Sequence, residues 1–223
     1  SLPYALDNLT GSLMGNTVYV AGGNRQGAAS NTFLCLDLER PGEGWKELTP
    51  FPGNPRIQPV SAGVHVDGAY RFFLWGGFAP ASQGREATLS VNGYCYDPTF
   101  DTWIPVPTPT GRNGESVSLG GGTAVALDDG RILCMGGVDK DIFLSALRSP
   151  AKDYLRHPAE WYRFNRRILL YDVAANSWQE VAEVADAARA GAALVGGNGA
   201  CFYIGGELKP GIRIPGVTKI NLK

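Results

Sequence analysis

A carboxylate and a guanidinium stand close together near the end of the chain, directly after an apolar strand. The apolar run 201–204 leads into Gly205-Gly206 and Glu207, and a Pro-Gly turn at 210–211 then separates Glu207 from Arg213. A partly desolvated glutamate suits general acid–base chemistry, because burial raises the pKa of a carboxyl group. An arginine beside it suits the capture of a ligand carboxylate through paired hydrogen bonds. The alternative is a surface ion pair that stabilises the turn and contributes little energy.

Gly-Gly pairs that end apolar strands recur along the chain and indicate a repeat. After each of the first three pairs comes an apolar residue followed by Asp, and then a tryptophan. Short alternating segments punctuated by Gly and Pro, recurring in this way, are typical of one supersecondary unit used several times. The four pairs are Gly22-Gly23, Gly76-Gly77, Gly136-Gly137 and Gly205-Gly206.

Each repeat is predicted to form four antiparallel strands. In the second unit the strands are predicted at roughly 60–67, 70–75, 91–97 and 102–106. A single sheet of this kind cannot bury both faces, and packing several sheets around an axis gives a β-propeller. We therefore predict one all-β propeller domain over residues 1–223, with about four blades in this chain. The units begin near Leu9, Val60, Gly120 and Arg189.

Local signals predict the turns and one insertion. Asp67-Gly68 and Asp129-Gly130 fit tight hairpin turns between first and second strands, because such turns need positive φ. The third unit contains an insertion at 139–167 that breaks the strand pattern and is predicted to be helical. Ser149 is the predicted N-cap, with Pro150 at the first helical position, and Pro158 is predicted to open another turn.

The long polar loops are predicted to lie on one face of the propeller. In a four-stranded antiparallel blade, the loop between strands 2 and 3 and the loop to the next blade leave the same face. The loops between strands 2 and 3 are long and polar in this chain, so a site is expected there. Arg56 and Glu115 lie in loops between blades on this face, and Asn165 closes the insertion over it. Capping of a strand end is the alternative role for Asn165.

Composition excludes several classes of partner. The net charge is −1, which gives no support to nucleic acid or an anionic membrane as a partner. Apolar residues make up 44% of the chain, enough for a core. No apolar run reaches the roughly 18 residues that a membrane helix requires. The chain shows no charged-then-apolar leader at Ser1, so any signal peptide is expected to have been removed or to lie upstream.

The cysteines are predicted to be buried, reduced thiols and not metal ligands. None stands in a CxxC or other metal-ligand spacing, and each lies in an apolar run typical of a strand. Cys35 and Cys95 occupy equivalent places in neighbouring repeats, roughly 10 Å apart by the spacing of packed sheets. That separation exceeds the roughly 7 Å between Cα atoms that a disulfide tolerates. The full set is Cys35, Cys95, Cys134 and Cys201.

The repeat resembles a known family, and so does the chain as a whole. The order Gly-Gly, apolar-Asp, Trp resembles the kelch repeat. The stretch GGELKPGIR at 205–213 is similar to the G-E-x-K-P-G-x-R stretch of sialic acid mutarotases (N-acetylneuraminate epimerases), which are six-bladed kelch propellers. Residues 51–56, 136–143 and 164–170 also look similar to that family.

The resemblance implies an activity and roles for particular residues. It implies a mutarotase that interconverts the α and β anomers of N-acetylneuraminate without a metal or other cofactor. Glu207 then corresponds to the catalytic general base and Arg213 to its neighbouring active-site arginine. Substrate-binding roles are also expected for Arg56 and Asn165, and for Glu115 from its location in a loop on the same face alone. The resemblance also implies a periplasmic or secreted protein.

The blade count differs from that of the resembling family. Four units could form an unusually small ring, meet further blades on another chain, or belong to a larger ring. We expect part of a six-bladed ring whose two other blades precede Ser1, as in a circularly permuted relative.

Two rival functions use the same kelch scaffold. A non-catalytic propeller that binds protein or glycan at this face would tolerate the loss of the Glu207 carboxylate. A copper-radical oxidase needs two histidines in one site. The two histidines here, His65 in a first strand and His157 in the insertion, do not fit that pattern.

Overall fold

Twenty-one strands and five helical segments make up a propeller of four blades in a computed structural model, which describes residues 1–82, 84–197 and 199–221. The first two blades contain twelve strands in chain order. Blade 1 has β1 (Thr10–Met14), β2 (Thr17–Ala21), β3 (Asn24–Arg25), β4 (Ala28–Ala29), β5 (Phe33–Asp37) and β6 (Lys46–Glu47). Blade 2 has β7 (Val60–Val66), β8 (Ala69–Trp75), β9 (Phe78–Ala79), β10 (Thr88–Leu89), β11 (Gly93–Asp97) and β12 (Thr102–Val106).

The last two blades contain the remaining strands and the α-helix. Blade 3 has β13 (Gly122–Ala126), β14 (Arg131–Gly136), α1 (Lys140–Arg148), β15 (Arg167–Asp172) and β16 (Ser177–Glu183). Blade 4 has β17 (Ala193–Gly197), β18 (Ala200–Ile204), β19 (Glu207–Lys209), β20 (Ile212–Arg213) and β21 (Val217–Asn221). Short 3-10 helices lie at Pro41–Glu43, Tyr154–Arg156, Ala159–Tyr162 and Ala185–Ala187.

The main sheet of each blade follows the predicted antiparallel order. Blades 1 to 3 are four-stranded sheets, and the described part of blade 4 pairs β17, β18 and β21. The four strands predicted in the second unit are confirmed to within about two residues at each end. The all-β, kelch-type propeller with a helical insertion in the third unit is therefore confirmed.

The second strand of each blade ends in its Gly-Gly pair, and we call the face where this happens the Gly-Gly face. In blades 1, 2 and 4 the chain continues there into a two-stranded ribbon: β3–β4, β9–β10 and β19–β20. In blade 3 the insertion replaces the ribbon. The residue after each of three Gly-Gly pairs bridges to the loop that enters a blade: Asp7 to Asn24, Ile57 to Phe78 and Ala190 to Glu207. The long loops thus lie on one face, as the strand order predicts.

A line of backbone hydrogen bonds joins the four blades on the Gly-Gly face. Gln58 N donates to Asn8 O (2.8 Å), Gly121 N to Gln58 O (3.0 Å) and Gly191 N to Gly121 O (2.7 Å). All four residues have left-handed backbones, with φ of 54° at Asn8, 48° at Gln58, 70° at Gly121 and 64° at Gly191. Gly and Asn adopt this conformation readily, but it is costly for Gln58, so at that residue the line fixes a geometry that local preference alone would not select.

Apolar cores fill the space between consecutive blades. Phe33 and Phe72 pack between blades 1 and 2, and Leu133 and Tyr203 between blades 3 and 4. The repeated tryptophans pack against these cores and bind the preceding interblade loop. Trp103 Nε1 donates to Thr49 O at 2.9 Å, and Trp178 Nε1 donates to Pro107 O at 2.9 Å. Trp103 and Trp178, which are equivalent in the repeat, therefore each mark a contact between neighbouring blades.

The insertion differs from its prediction in where the helix begins. Helix α1 starts after Asp139, whose side chain accepts hydrogen bonds from the backbone N–H groups of Asp141 and Ile142. Ser149 is the C-cap and not the N-cap, so that prediction is wrong. The reason is that Pro150 disfavours a helical conformation at the residue before it and ends the helix there. Pro158 does open a helical turn, at Ala159–Tyr162, as predicted.

The hairpin turns agree only in part with the prediction. Asp67 and Gly68 both have positive φ, 51° and 77°, and form the predicted two-residue turn. Between β13 and β14 only Gly130 has positive φ, and the turn is wider. Asp129 instead accepts hydrogen bonds from the backbone and side chain of Arg131, which stabilises the longer connection.

The cysteines in the described part of the chain are free thiols. Cys95, Cys134 and Cys201 are buried, whereas Cys35 is half-buried. Burial raises the pKa of the Cys95 thiol to about 12 and also raises those of Cys35, Cys134 and Cys201. Because the thiolate is the reactive form, we expect an aromatic disulfide reagent at pH 8 to modify at most Cys35 in the folded protein. Four thiols should react after denaturation, and rapid reaction of two or more before it would contradict this expectation.

No helix among the described residues is long and apolar enough to cross a membrane. Across the same residues, no group of three or more His, Cys, Asp or Glu side chains is arranged to hold a metal ion.

Candidate active site

Glu207 and Arg213 face each other across a small ribbon in blade 4. Strands β19 and β20 are joined by the Pro210-Gly211 turn, in which Gly211 has a φ of 79° that a type II turn requires. Glu207 pairs with Arg213 and Lys209 with Ile212, with a bulge at Leu208. Residues that are paired across an antiparallel ribbon project to the same side, so this register brings the carboxylate and the guanidinium together.

The two side chains form an ion pair of unequal exposure. Arg213 Nε donates to Glu207 Oε1 at 3.1 Å, and the Gly211 N–H lies 3.4 Å from Glu207 Oε2. The Glu207 side chain is 27% exposed, whereas that of Arg213 is 83% exposed. Glu207 is therefore held in place by its neighbours, while most of the guanidinium stays available to a ligand. The sequence predicted this pair, and the structure brings it together.

Lys209 fastens the ribbon to the insertion of blade 3. Its ammonium donates to His157 O at 2.6 Å and to Leu155 O at 3.3 Å. His157 itself stacks on Trp161, with ring centroids 3.9 Å apart. Lys209 lies in the same GGELKPGIR motif as Glu207 but is not among the predicted site residues.

A hollow of about 500 Å³ lies beside the ribbon on the Gly-Gly face. It is lined by Asp139, Arg163 and Asn165 from the insertion and by Leu208 from the ribbon. Neither Glu207 nor Arg213 lines this hollow. The pair of Glu207 and Arg213 thus stands at the border of this hollow, next to Leu208, and does not line it.

Arg56 lies in a different environment from the one expected of a substrate-binding residue. Its side chain is 0% exposed. The guanidinium donates to Gly76 O at 3.0 Å and to Asn54 O at 3.2 Å, and it lies 5.4 Å from the centre of the Phe51 ring. Burial lowers its pKa to about 10. The buried guanidinium makes structural hydrogen bonds and has no exposed atom in this structure, and the expected substrate-binding role of Arg56 stays a prediction.

Asn165 makes a contact equivalent to that of Arg56 in another blade. It is 7% exposed, and its Nδ2 donates to Gly136 O at 3.0 Å. Gly136 and Gly76 are each the first glycine of a Gly-Gly pair, and the side chains of Asn165 and Arg56 satisfy their carbonyls. Asn165 also accepts a hydrogen bond from Arg167 N at 3.0 Å. These contacts fit the alternative role of strand-end capping, and the expected substrate-binding role of Asn165, which also lines the hollow, stays a prediction.

Glu115 lies on the Gly-Gly face but is paired towards the outer edge of blade 3. Its carboxylate accepts a hydrogen bond from Arg167, whose Nε also bonds to Glu180 at 3.1 Å. Glu180 belongs to β16, the outermost strand of the blade. The structure thus brings Glu207 and Arg213 together and does not bring Glu115 to them.

Sequence reasoning missed Arg189, which lies beneath the ribbon of Glu207. Its guanidinium donates to the carbonyl of Gly205, the first glycine of the fourth pair, at 3.3 Å. This contact repeats that of Arg56 with Gly76 in blade 2. The available signal was position, since both arginines come shortly before the first strand of their blade.

Comparisons with known proteins agree with this architecture. The family model described as N-acetylneuraminate epimerase matches residues 1–223. The solved structure of YjhT superposes with a TM-score of 0.78 at 26% identity and covers 99% of this chain and 64% of that one.

Curated relatives are similar over nearly all of this chain. The N-acetylneuraminate epimerases of Haemophilus influenzae (strain PittEE) and Pasteurella multocida (strain Pm70) are each 32% identical, over 95% and 97% of this chain. That of Salmonella typhimurium is 29% identical over 95% of the chain. The chain spans 55–57% of the length of these relatives. It belongs to the N-acetylneuraminate epimerase family.

Proposed function

We propose that Glu207 and Arg213 form the acid–base and carboxylate-binding core of a sialic acid mutarotase. The observation that carries the proposal is the ion pair at 3.1 Å between Arg213 Nε and Glu207 Oε1. The ribbon that bears it is held by backbone hydrogen bonds to Ala190 and between its own two ends. Membership of the epimerase family supports N-acetylneuraminate as the substrate. Interconversion of its anomers needs proton transfers but no redox change, so side chains alone can supply the chemistry.

The reaction needs two proton transfers in each direction. For ring opening, the Glu207 carboxylate takes the proton of the anomeric hydroxyl at C2. The bond between C2 and the ring oxygen breaks, and the ring oxygen gains a proton from Glu207 or from water, which leaves the open keto form. Rotation about the bond beside the carbonyl exposes its other face, and closure reverses both transfers. General acid–base help of this kind increases rates by about 10²–10⁴.

Arg213 is suited to hold the substrate while Glu207 moves protons. Only its Nε is used in the contact with Glu207, so the two terminal nitrogens of the exposed guanidinium can bind the C1 carboxylate of the sugar. This contact places the anomeric centre, which is adjacent to that carboxylate, near Glu207. Pre-positioning of this kind lowers the barrier by removing orientational freedom before the reaction.

We further propose that blades beyond this chain, on a missing segment or a second chain, complete the ring. Blade 4 has an outward face with Val195 46%, Ile204 39% and Val217 61% exposed. Such a face is apolar enough to pack against another blade. A ring completed in this way would also enclose the hollow beside the ribbon of Glu207. The family resemblance supports a periplasmic or secreted location for the assembled enzyme.

Proton NMR of freshly dissolved α-N-acetylneuraminate tests the function. The protein should speed conversion to the β anomer relative to buffer alone, and acceleration by this chain alone would show that its four blades suffice. The same assay on a chain extended by two blades separates an incomplete ring from an inactive one. Absence of acceleration in both would overturn the mutarotase proposal and favour a non-catalytic propeller that binds protein or glycan.

A further inference from the structure

Arg189 is a buried arginine directly beneath the ribbon that carries Glu207 and Arg213. It is 4% exposed and lies at the start of the segment that enters blade 4. Its Nη1 is 3.3 Å from Gly205 O and 3.4 Å from Gly216 O, and its Nη2 donates to Thr218 Oγ1 at 2.9 Å. One guanidinium therefore contacts residues on both sides of the ribbon.

Gly205 and Gly216 are the two points at which the ribbon leaves the main sheet of blade 4. They are also joined to each other, since Gly205 N donates to Gly216 O at 2.8 Å. The residue after Arg189 continues the attachment: Ala190 N donates to Glu207 O at 3.0 Å, and Glu207 N donates to Ala190 O at 2.8 Å. The position of Glu207 thus depends on backbone bonds to Ala190 and on the side chain of Arg189.

The charge of Arg189 is buried without an acidic partner among the described ion pairs. Its guanidinium lies 4.9 Å from the centre of the Tyr203 ring, and its Nε is buried with no hydrogen-bond partner. Burying an unpaired cation opposes folding, and an apolar residue is often better there for stability alone. In blade 3 the corresponding position, before the hydrogen bond from Val138 N to Gly120 O, is occupied by Leu119, which is 0% exposed.

We propose that Arg189 is a positioning residue for Glu207 and Arg213, an inference that rests on the proposed function for its kinetic consequence. By binding the carbonyls of Gly205 and Gly216, it fixes the separation of the two ends of the ribbon. That separation determines how the ribbon, with Glu207 paired to Arg213, is held on the main sheet of blade 4. A small displacement of a catalytic group lowers the rate strongly, since the reaction depends on alignment.

The matched control is Arg56, which makes the same contacts in blade 2. Its Nη1 is 3.0 Å from Gly76 O and 3.5 Å from Asn92 O, the equivalent ends of the β9–β10 ribbon. That ribbon begins with Phe78 where blade 4 has Glu207. Arg189→Met and Arg56→Met thus remove the same kind of buried contact. The first lies below the ion pair of Glu207 and Arg213, and the second lies below the ribbon of blade 2.

The experiment measures amide hydrogen exchange and kinetics on both variants, well below their unfolding temperatures. Arg189→Met should speed exchange at Gly205, Glu207 and Ile214, whose N–H groups are bonded at this ribbon. We expect kcat to fall about tenfold with a smaller change in KM. Arg189→Lys keeps the charge and can reach one carbonyl, so it should restore part of kcat.

Arg56→Met should lower the unfolding temperature to a similar extent but speed exchange only around the blade 2 ribbon. Equal acceleration of exchange at Gly205 and Glu207 in the two methionine variants would show a general effect of stability and overturn the proposal. Retained protection at Gly205 and Glu207 in Arg189→Met would also overturn it. If Arg189→Met does not fold, the exchange pattern of Arg189→Lys decides in the same way. The exchange result does not depend on activity. Failure of the proposed mutarotase function can therefore be distinguished from failure of the positioning role of Arg189.

Discussion

Replacement of Glu207 by Gln is expected to lower the rate of anomer interconversion by about 10²–10⁴. Glutamine preserves the shape of the side chain and can still accept a hydrogen bond from Arg213 Nε, which is 3.1 Å from Glu207 Oε1. It cannot accept and return a proton at neutral pH. The ribbon should therefore stay in place while the chemistry is lost, and proton NMR of the fresh α anomer measures the loss directly.

The control for this variant is the same substitution at a distant carboxylate. Glu39 follows β5 and accepts a hydrogen bond at 2.7 Å from Asn16. Asn16 lies in the turn between β1 and β2, on the face opposite the Gly-Gly face. Glu39→Gln should retain the wild-type rate and the wild-type unfolding temperature. An active Glu207→Gln variant would remove Glu207 from the mechanism and leave the ion pair as a structural feature of the ribbon.

Replacement of Trp75 by Ala is expected to cost about 3–5 kcal/mol of unfolding free energy. Trp75 is 0% exposed and lies at the contact between blades 2 and 3. Its ring stacks on Phe73 with centroids 5.4 Å apart and meets Tyr171 and Trp178 edge-on at 4.9 and 5.0 Å. Alanine leaves a cavity that these rings cannot fill, because they are held by their own strands.

Urea unfolding measures this cost, and two further variants define its origin. Pro107 O accepts hydrogen bonds from both Trp75 Nε1 (3.2 Å) and Trp178 Nε1 (2.9 Å), so Trp75→Phe leaves the carbonyl with one donor and should cost less than alanine. Phe100 is 73% exposed, and Phe100→Ala should change stability by no more than about 0.5 kcal/mol. A loss below about 1 kcal/mol for Trp75→Ala would contradict the assigned role of this contact.

Much of the fold could be predicted because its signals are local and repeated. A Gly-Gly pair after an apolar strand requires positive φ, which Gly76 and Gly77 show at 68° and 88°. Few other residues adopt that conformation cheaply, so the pairs mark the ends of second strands reliably. The α-helix was placed too late because Ser149 and Asp139 are both good capping residues. Pro150 is compatible with a helix that starts after Ser149, but it also disfavours a helical conformation at Ser149 itself. The second effect prevails, so Asp139 is the N-cap and the helix ends at Ser149.

The candidate site was predictable only where the local geometry decides it. The Pro210-Gly211 turn sets the register of its ribbon, and the register brings Glu207 to Arg213. Nothing local decides whether a polar side chain on a loop extends into solvent or folds beneath the loop. Arg56 and Asn165 fold beneath it because buried glycine carbonyls need donors, and that need arises only once the blades are packed.

The line of backbone bonds through Asn8, Gln58, Gly121 and Gly191 bears on how such a protein can change during evolution. Each intermediate residue, Gln58 and Gly121, donates one backbone hydrogen bond and accepts one. These bonds use peptide groups that any sequence possesses. Duplication of a gene segment that encodes one blade would therefore supply a copy able to join the line at once, with its side chains still unadapted. Natural selection could then refine the apolar contacts of the new copy gradually. The number of repeats in a lineage is thus free to vary by recombination, while the junction between repeats is preserved.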